Sequence, residues 1–177
     1  MVGGNTTPDT LKVGSDERGL FISARGEIRA TLCYPLRETL LGQREDGAVP
    51  PAAGVDLSEC RYMDSTFIGL LVAVDKRLHK GSGGRLHVIS PSPECRGILS
   101  EIGLLDFLLI EEAGPAAPDG MKELVPSREK PGADFVLKAH EALMETSEEA
   151  RKKFALLKEV LEKKLKRQNP LKDNREE

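Results

Sequence analysis

Tryptophan is absent from this sequence, and aromatic residues fill only 4% of its 177 positions. A packed interior must therefore rest on Leu, Ile, Val and Ala. Cysteine is scarce as well: Cys33, Cys60 and Cys95 are far apart and odd in number, which fits neither a disulfide framework nor a zinc ribbon. They read as small buried thiols in a reducing cytosol. No apolar run approaches the roughly 18–20 residues needed to cross a bilayer. The polar stretch from Met1 to Asp16 has neither the charged segment nor the apolar segment of a secretory signal. The expectation is a cytoplasmic chain with no membrane association. Excess charge of one sign is missing too: 26 basic and 29 acidic side chains give a formal net charge of −3, which leaves no chain-wide basic footprint for nucleic acid.

What is present suffices for one domain and an appendage. Residues 1–18 carry Gly, Asn, Thr, Pro and charges without period and are expected to form a flexible leader. Leu20 to Ala24 is a short apolar run of strand type, after which Gly26-Glu27 either turns or prolongs the extended segment. Leu32, Leu36, Leu40 and Leu41 recur at helical spacing. Pro35 belongs in a first turn, which places the helix start near Leu32 to Tyr34. Gly42 to Gly54 is a loop by composition, and Val55-Asp56-Leu57 reads as a buried strand.

Asp64-Ser65-Thr66 is a helix-start signal before an almost unbroken apolar stretch from Phe67 to Val74. That helix runs to about Lys80 and is stopped by Gly81-Ser82-Gly83-Gly84. Leu86 to Ile89 is a strand, Glu94 to Ile102 a helix opened by Pro91 and Pro93, and Leu105 to Ile110 a last strand. Strands alternating with short helices imply an α/β layer, assigned to residues 19–112. Residues 113–131 form a linker. Residues 132–168 form an amphipathic helical hairpin, with Phe135, Ala139, Ala142 and Leu143 on one helix and Phe154, Leu157, Leu161 and Leu165 on the next. Ser147 serves as N-cap of the second. Residues 169–177 are a polar, disordered tail.

The chemistry concentrates at Asp64-Ser65-Thr66. A helix N-terminus carries unsatisfied N–H groups and partial positive charge, so it tolerates a phosphate. A phosphoserine there would alter any surface docked over the helix end without melting the helix. Taken locally, the same triplet reads simply as a helix cap. The other candidates have bland explanations. His79, His87 and His140 lack metal-ligand spacing and read as surface or half-buried side chains. Gly81 to Gly84 lacks the Lys-Ser/Thr of a P-loop and is a turn. Asp56, Glu59 and Asp64 form no base–nucleophile pairing. The lysines from Lys152 to Lys166 alternate with glutamates along a solvated helical face.

Val55-Asp56-Leu57-Ser58, Tyr62-Met63-Asp64-Ser65-Thr66 and Ile68-Gly69-Leu70-Leu71 together resemble the signature of the STAS domain family, anti-sigma-factor antagonist type. Gly26-Glu27-Ile28, the Gly81 to Gly84 loop, the Leu86 to Ile89 strand and Ile98-Leu99 through Gly103-Leu104 resemble it in order and spacing as well. The resemblance covers about Leu20 to Ile110. It implies a STAS-like mixed sheet of about four to five strands, with helices packed mainly on one face and a C-terminal helical extension added.

In function the resemblance implies a binding switch, not an enzyme, with no cofactor and no metal of its own. Such a protein binds an anti-sigma factor that is itself a serine kinase, is phosphorylated on the Ser after the Asp (here Ser65), and is reset by a serine phosphatase. Partner contacts would fall on Asp64, Ser65, Thr66, Phe67, Ile68 and Gly69, with Arg29 beside them. Two residues depart from the pattern. Phe67 replaces a Gly, and either meets the partner or packs into the core. Arg29 replaces an Asp and could pair with Asp64 or with a phosphate. The alternative is a STAS scaffold or sensor module without phosphorylation, and a further one is a nucleotide or small-ligand module. The C-terminal helices would pack on the domain or form a homodimer.

Overall fold

The computed structural model describes residues 8–41 and 49–168; the expected tail at 169–177 and the start of the leader and of the Gly42 to Gly54 loop lie outside these. Eleven elements follow in order among the described residues: β1 (Thr10–Asp16), β2 (Gly19–Ile28), α1 (Ala30–Leu41), β3 (Ala53–Met63), α2 (Ser65–Ser82), β4 (Leu86–Ile89), α3 (Pro93–Glu101), β5 (Leu109–Glu111), β6 (Lys122–Glu123), α4 (Ala133–Met144) and α5 (Glu148–Gln168). The strands form one sheet in the order β5-β4-β3-β2-β1-β6. β2, β3, β4 and β5 run parallel through helical crossovers, whereas β1 is antiparallel to β2 and β6. The sheet is mixed, as expected, but six-stranded.

The extra strands correct the expected boundaries. Residues 10–16 are not leader but β1, whose Leu11 and Val13 are buried. Alternation of Leu11 and Val13 with Lys12 and Gly14 is a half-buried strand pattern, short enough to be hidden among turn-forming neighbours. β6 is a two-residue pairing inside the linker. The last strand is shorter than Leu105 to Ile110, because Leu104 to Phe107 turn back instead, with Phe107 N and Leu108 N both donating to the Leu104 carbonyl.

The register sorts side chains onto two faces. Val13, Ile22, Val55 and Val88 align across four strands, and all are buried on the helix side. One step on, Gly14, Phe21, Gly54 and His87 align on the other face, where residues 115–118 of the linker arch over a hollow of about 230 Å³.

Helix α1 starts at Ala30, earlier than expected, with Pro35 inside it. Proline cannot donate to the carbonyl four residues back. That carbonyl, of Thr31, accepts instead from Ser127 N–H of the linker at 2.9 Å, so the helix passes its proline without an unpaired group. α2 ends as expected, with Gly83 at φ +72° donating to the His79 carbonyl. Asp75 is buried within α2, and its carboxylate accepts from Arg85 Nε at 2.9 Å and Leu86 N at 2.8 Å. This pins α2 to the entry of β4.

α2 is buried all round over its first half: Thr66 to Val72 and Val74 are covered. A helix apolar on every side needs cover on both faces. The sheet supplies one cover, and α4 supplies the other by packing on α2, while α5 packs in turn on α4. The molecule thus has a third layer outside the sheet and its helices.

Candidate functional site

The strand β3 delivers Asp64 to the start of α2. Its backbone is extended (φ −82°, ψ 166°), and its N–H donates to the Ile28 carbonyl at the end of β2, at 3.1 Å. One carboxylate oxygen accepts from Phe67 N at 2.9 Å, closing the first turn of α2. The other accepts from Ala30 N at 2.7 Å, at the start of α1. Asp64 is therefore a double cap that joins two helix N-termini, and Ser65 is the first residue of α2.

Ser65 is half-buried. Its hydroxyl lies 2.8 Å from Nε2 of His140 on α4. His140 is 1% exposed, with its Nδ1 2.6 Å from the Val136 carbonyl. A carbonyl can only accept, so Nδ1 carries a proton there, and Nε2 is the ring nitrogen that meets Ser65 Oγ. The imidazole also stands edge-on to Phe154 of α5, with ring centroids 5.0 Å apart. His140 is thus neither a surface nor a half-buried residue, contrary to expectation. Its signal in the sequence was position: with Val136, Ala139 and Leu143 it shares the inward face of an amphipathic helix, and a buried polar side chain there needs a partner.

The contact continues along α2. Gly69 lies against the α4 backbone so closely that a Cβ on it would stand 2.2 Å from the Ala139 carbonyl oxygen. Lys76 donates to the Ala142 carbonyl at 3.2 Å and pairs with Glu145. Ser65, Gly69 and Lys76 follow one stripe of α2, and α4 makes contact at each of them.

The remaining predicted contact residues divide. Thr66, Phe67 and Ile68 are buried; Phe67, at 0% exposure, is core and presents nothing to a partner as the chain stands. Arg29 is exposed and pairs with neither Asp64 nor Ser65. Its guanidinium reaches Glu27 at 2.7 Å and lies 4.8 Å over the Tyr62 ring. Asp56 accepts from Ser58 N and Glu59 pairs with Arg25, so these carboxylates do not gather with Asp64. Cys33 donates to the Arg29 carbonyl nearby, and burial, followed by the Asp64 charge, pushes its thiol well above the usual range. Among the described residues no three His, Cys, Asp or Glu side chains are grouped to hold a metal ion, and no helix is long and apolar enough to cross a membrane.

A parallel-stranded sheet with one antiparallel margin, helices on one face and an Asp-capped Ser at the β3–α2 corner define an α/β module of STAS type. The family model described as "Mlab, STAS domain" matches residues 11–111, more than half of the chain, and the chain belongs to the STAS domain family. Similar solved structures include an anti-sigma factor antagonist from Mycobacterium paratuberculosis, 23% identical with a TM-score of 0.49, covering 60% of this chain and 87% of that one. Another is the anti-sigma factor antagonist SpoIIAA in its unphosphorylated form, at 21% identity, TM-score 0.49 and coverages of 57% and 87%. An anti-sigma-factor antagonist (STAS) domain protein from Planctomyces limnophilus shows 23% identity, TM-score 0.42 and coverages of 56% and 87%. Among curated proteins none matches the chain. The helices that cover Ser65 lie beyond the residues matched by the family model.

Proposed function

We propose that this protein is a signalling module of the anti-sigma-factor antagonist kind, which binds an anti-sigma factor acting as a serine kinase and is switched by phosphorylation of Ser65. The observation that carries this is the double cap of Asp64, which holds Ser65 as the first residue of an 18-residue helix. Phosphoryl transfer from ATP to Ser65 Oγ would release ADP and the hydroxyl proton. The dianion formed would sit at the positive end of the α2 dipole, where it is well tolerated. Its effect falls on whatever docks at the corner from Asp64 to Gly69, with Arg29 close by as an exposed cation. A serine phosphatase would restore the hydroxyl. The work done in this reading is binding rather than turnover, with the Ser65 hydroxyl engaged by His140 of α4.

Incubation with the cognate kinase and ATP tests the switch. One phosphate on the wild type and none on Ser65→Ala is the expected result; an unmodified wild type, or an equally modified Ser65→Ala, overturns it. A second reading, a scaffold without phosphorylation, draws on the His140 hydrogen bond that already occupies Ser65. Equal partner binding by Ser65→Ala and Ser65→Asp would select it.

A further inference from the structure

We propose that the stripe of α2 running from Ser65 through Gly69 to Lys76 is a helix-docking surface, that α4 is its occupant in cis, and that a partner helix of the same chemistry replaces α4 in trans. The inference rests on the corner being a docking surface, and it adds both the form of the partner and the gate that controls it.

The stripe has features of a surface built for a helix backbone. Gly69 removes the side chain that would otherwise hold two helices apart, and the backbone of Ala139 occupies the space. Small residues at a crossing allow such an approach. Polar groups lie at either end. Ser65 meets an imidazole, and Lys76 meets a carbonyl and a carboxylate. The fitting partner is therefore an amphipathic helix with a small residue at the crossing, a hydrogen-bond acceptor toward Ser65 and an acidic side chain toward Lys76.

Occupation in cis has a second consequence. Esterification removes the hydroxyl proton shared across the 2.8 Å gap between Ser65 Oγ and His140 Nε2 and sets a phosphate against a buried imidazole, so it breaks the contact that ties this end of α4 to α2. Docked α4 and phosphorylated Ser65 thus oppose each other. The linker from Glu112 to Gly132 is tied to β1 by Leu124 N to the Leu11 carbonyl and to α1 by Ser127 N to the Thr31 carbonyl. Release of α4 then requires that its packing on α2 and the Ser147 tie of the hairpin to the Ile102 carbonyl give way, while the pairing within the sheet is untouched. A competitor tethered in the same chain acts at high effective concentration, so a partner must either bind tightly or meet a chain whose hairpin has already been loosened.

The test uses the full chain and a fluorescent peptide of residues 130–168. Ala139→Arg places a long charged side chain at the crossing from the α4 side, and Gly69→Leu blocks it from the α2 side. Both variants should show amide exchange in α4 at least tenfold faster than wild type, with β2, β3 and β4 unchanged. The peptide should bind the Ala139→Arg chain at least tenfold more tightly than wild type, whose stripe is filled, and should not bind the Gly69→Leu chain, whose stripe is spoiled. The proposal is overturned if α4 stays protected in Ala139→Arg, if the sheet unfolds with the hairpin, or if the opened Ala139→Arg chain fails to take up the peptide. None of these measurements uses a kinase, so they stand or fall apart from phosphorylation of Ser65.

Discussion

Asp64 illustrates how much of this site is set by one carboxylate. The residue that precedes the proposed phosphate acceptor is a structural clamp, since each of its oxygens accepts from a backbone N–H of a different helix. Hydrogen bonds to a charged acceptor contribute about 1.5–3 kcal/mol each, and a lost N-cap about 1. Asp64→Ala is expected to lower the unfolding free energy by about 2–4 kcal/mol in urea titration, with Asp64→Asn losing about half as much because one carbonyl oxygen remains. An Asp64→Ala chain as stable as wild type would show that the clamp is ornamental. The Asp and Ser were visible in the sequence because their spacing to the apolar run is local. The partner of Ser65 was not, because His140 is 75 positions away and no rule of spacing connects two elements that meet only through packing.

At the scale of elements, most helices announced themselves. Apolar periodicity and end signals located α2 and α3 closely, and Ser92 caps α3 by accepting from Cys95 N at 3.1 Å. The hairpin is held by a comparable device. Ser147 Oγ accepts from Ala150 N in the first turn of α5 and donates to the Ile102 carbonyl at the end of α3. That hydroxyl thus both starts α5 and fastens it to the domain. Ser147→Ala should cost about 1–2 kcal/mol, the range of a lost cap, concentrated in the hairpin; amide exchange would rise first in α5 and α4 and little in β3. Uniform loss of protection across the sheet would instead mean that the hairpin and the domain unfold as one unit. β1 and β6 escaped notice for opposite reasons. β1 has a genuine alternation but sits among turn-forming residues, whereas two-residue β6 has no pattern to see and exists only because β1 offers it an edge.

The whole molecule is three layers deep, and its titration behaviour follows from what the layers bury. Cys33 is buried on α1 near the Asp64 corner with its thiol held far above its ordinary range, while in the unfolded chain it ionises near pH 8.5, as free cysteine does. A group whose pKa is raised on folding stabilises the fold fully below the unfolded value and ceases to do so as pH climbs beyond it. The urea midpoint should accordingly fall between about pH 8.5 and 10.5, and Cys33→Val should fall less steeply over the same range. Equal slopes in the two proteins would remove Cys33 from the account.

The sequence by itself determined the α/β class, the family and the place of Ser65, because these depend on short-range periodicity and on one contiguous motif from Val55 to Leu71. That Phe67 belongs to the core, that Arg29 turns to Glu27 and Tyr62, and that α4 brings His140 to Ser65 were decided only by the tertiary structure. Each of those outcomes is a competition among groups that are distant in the chain. Asp64 draws backbone donors from two helices, Gly69 leaves a gap that a close-packed helix fills, and a buried imidazole takes the nearest hydroxyl.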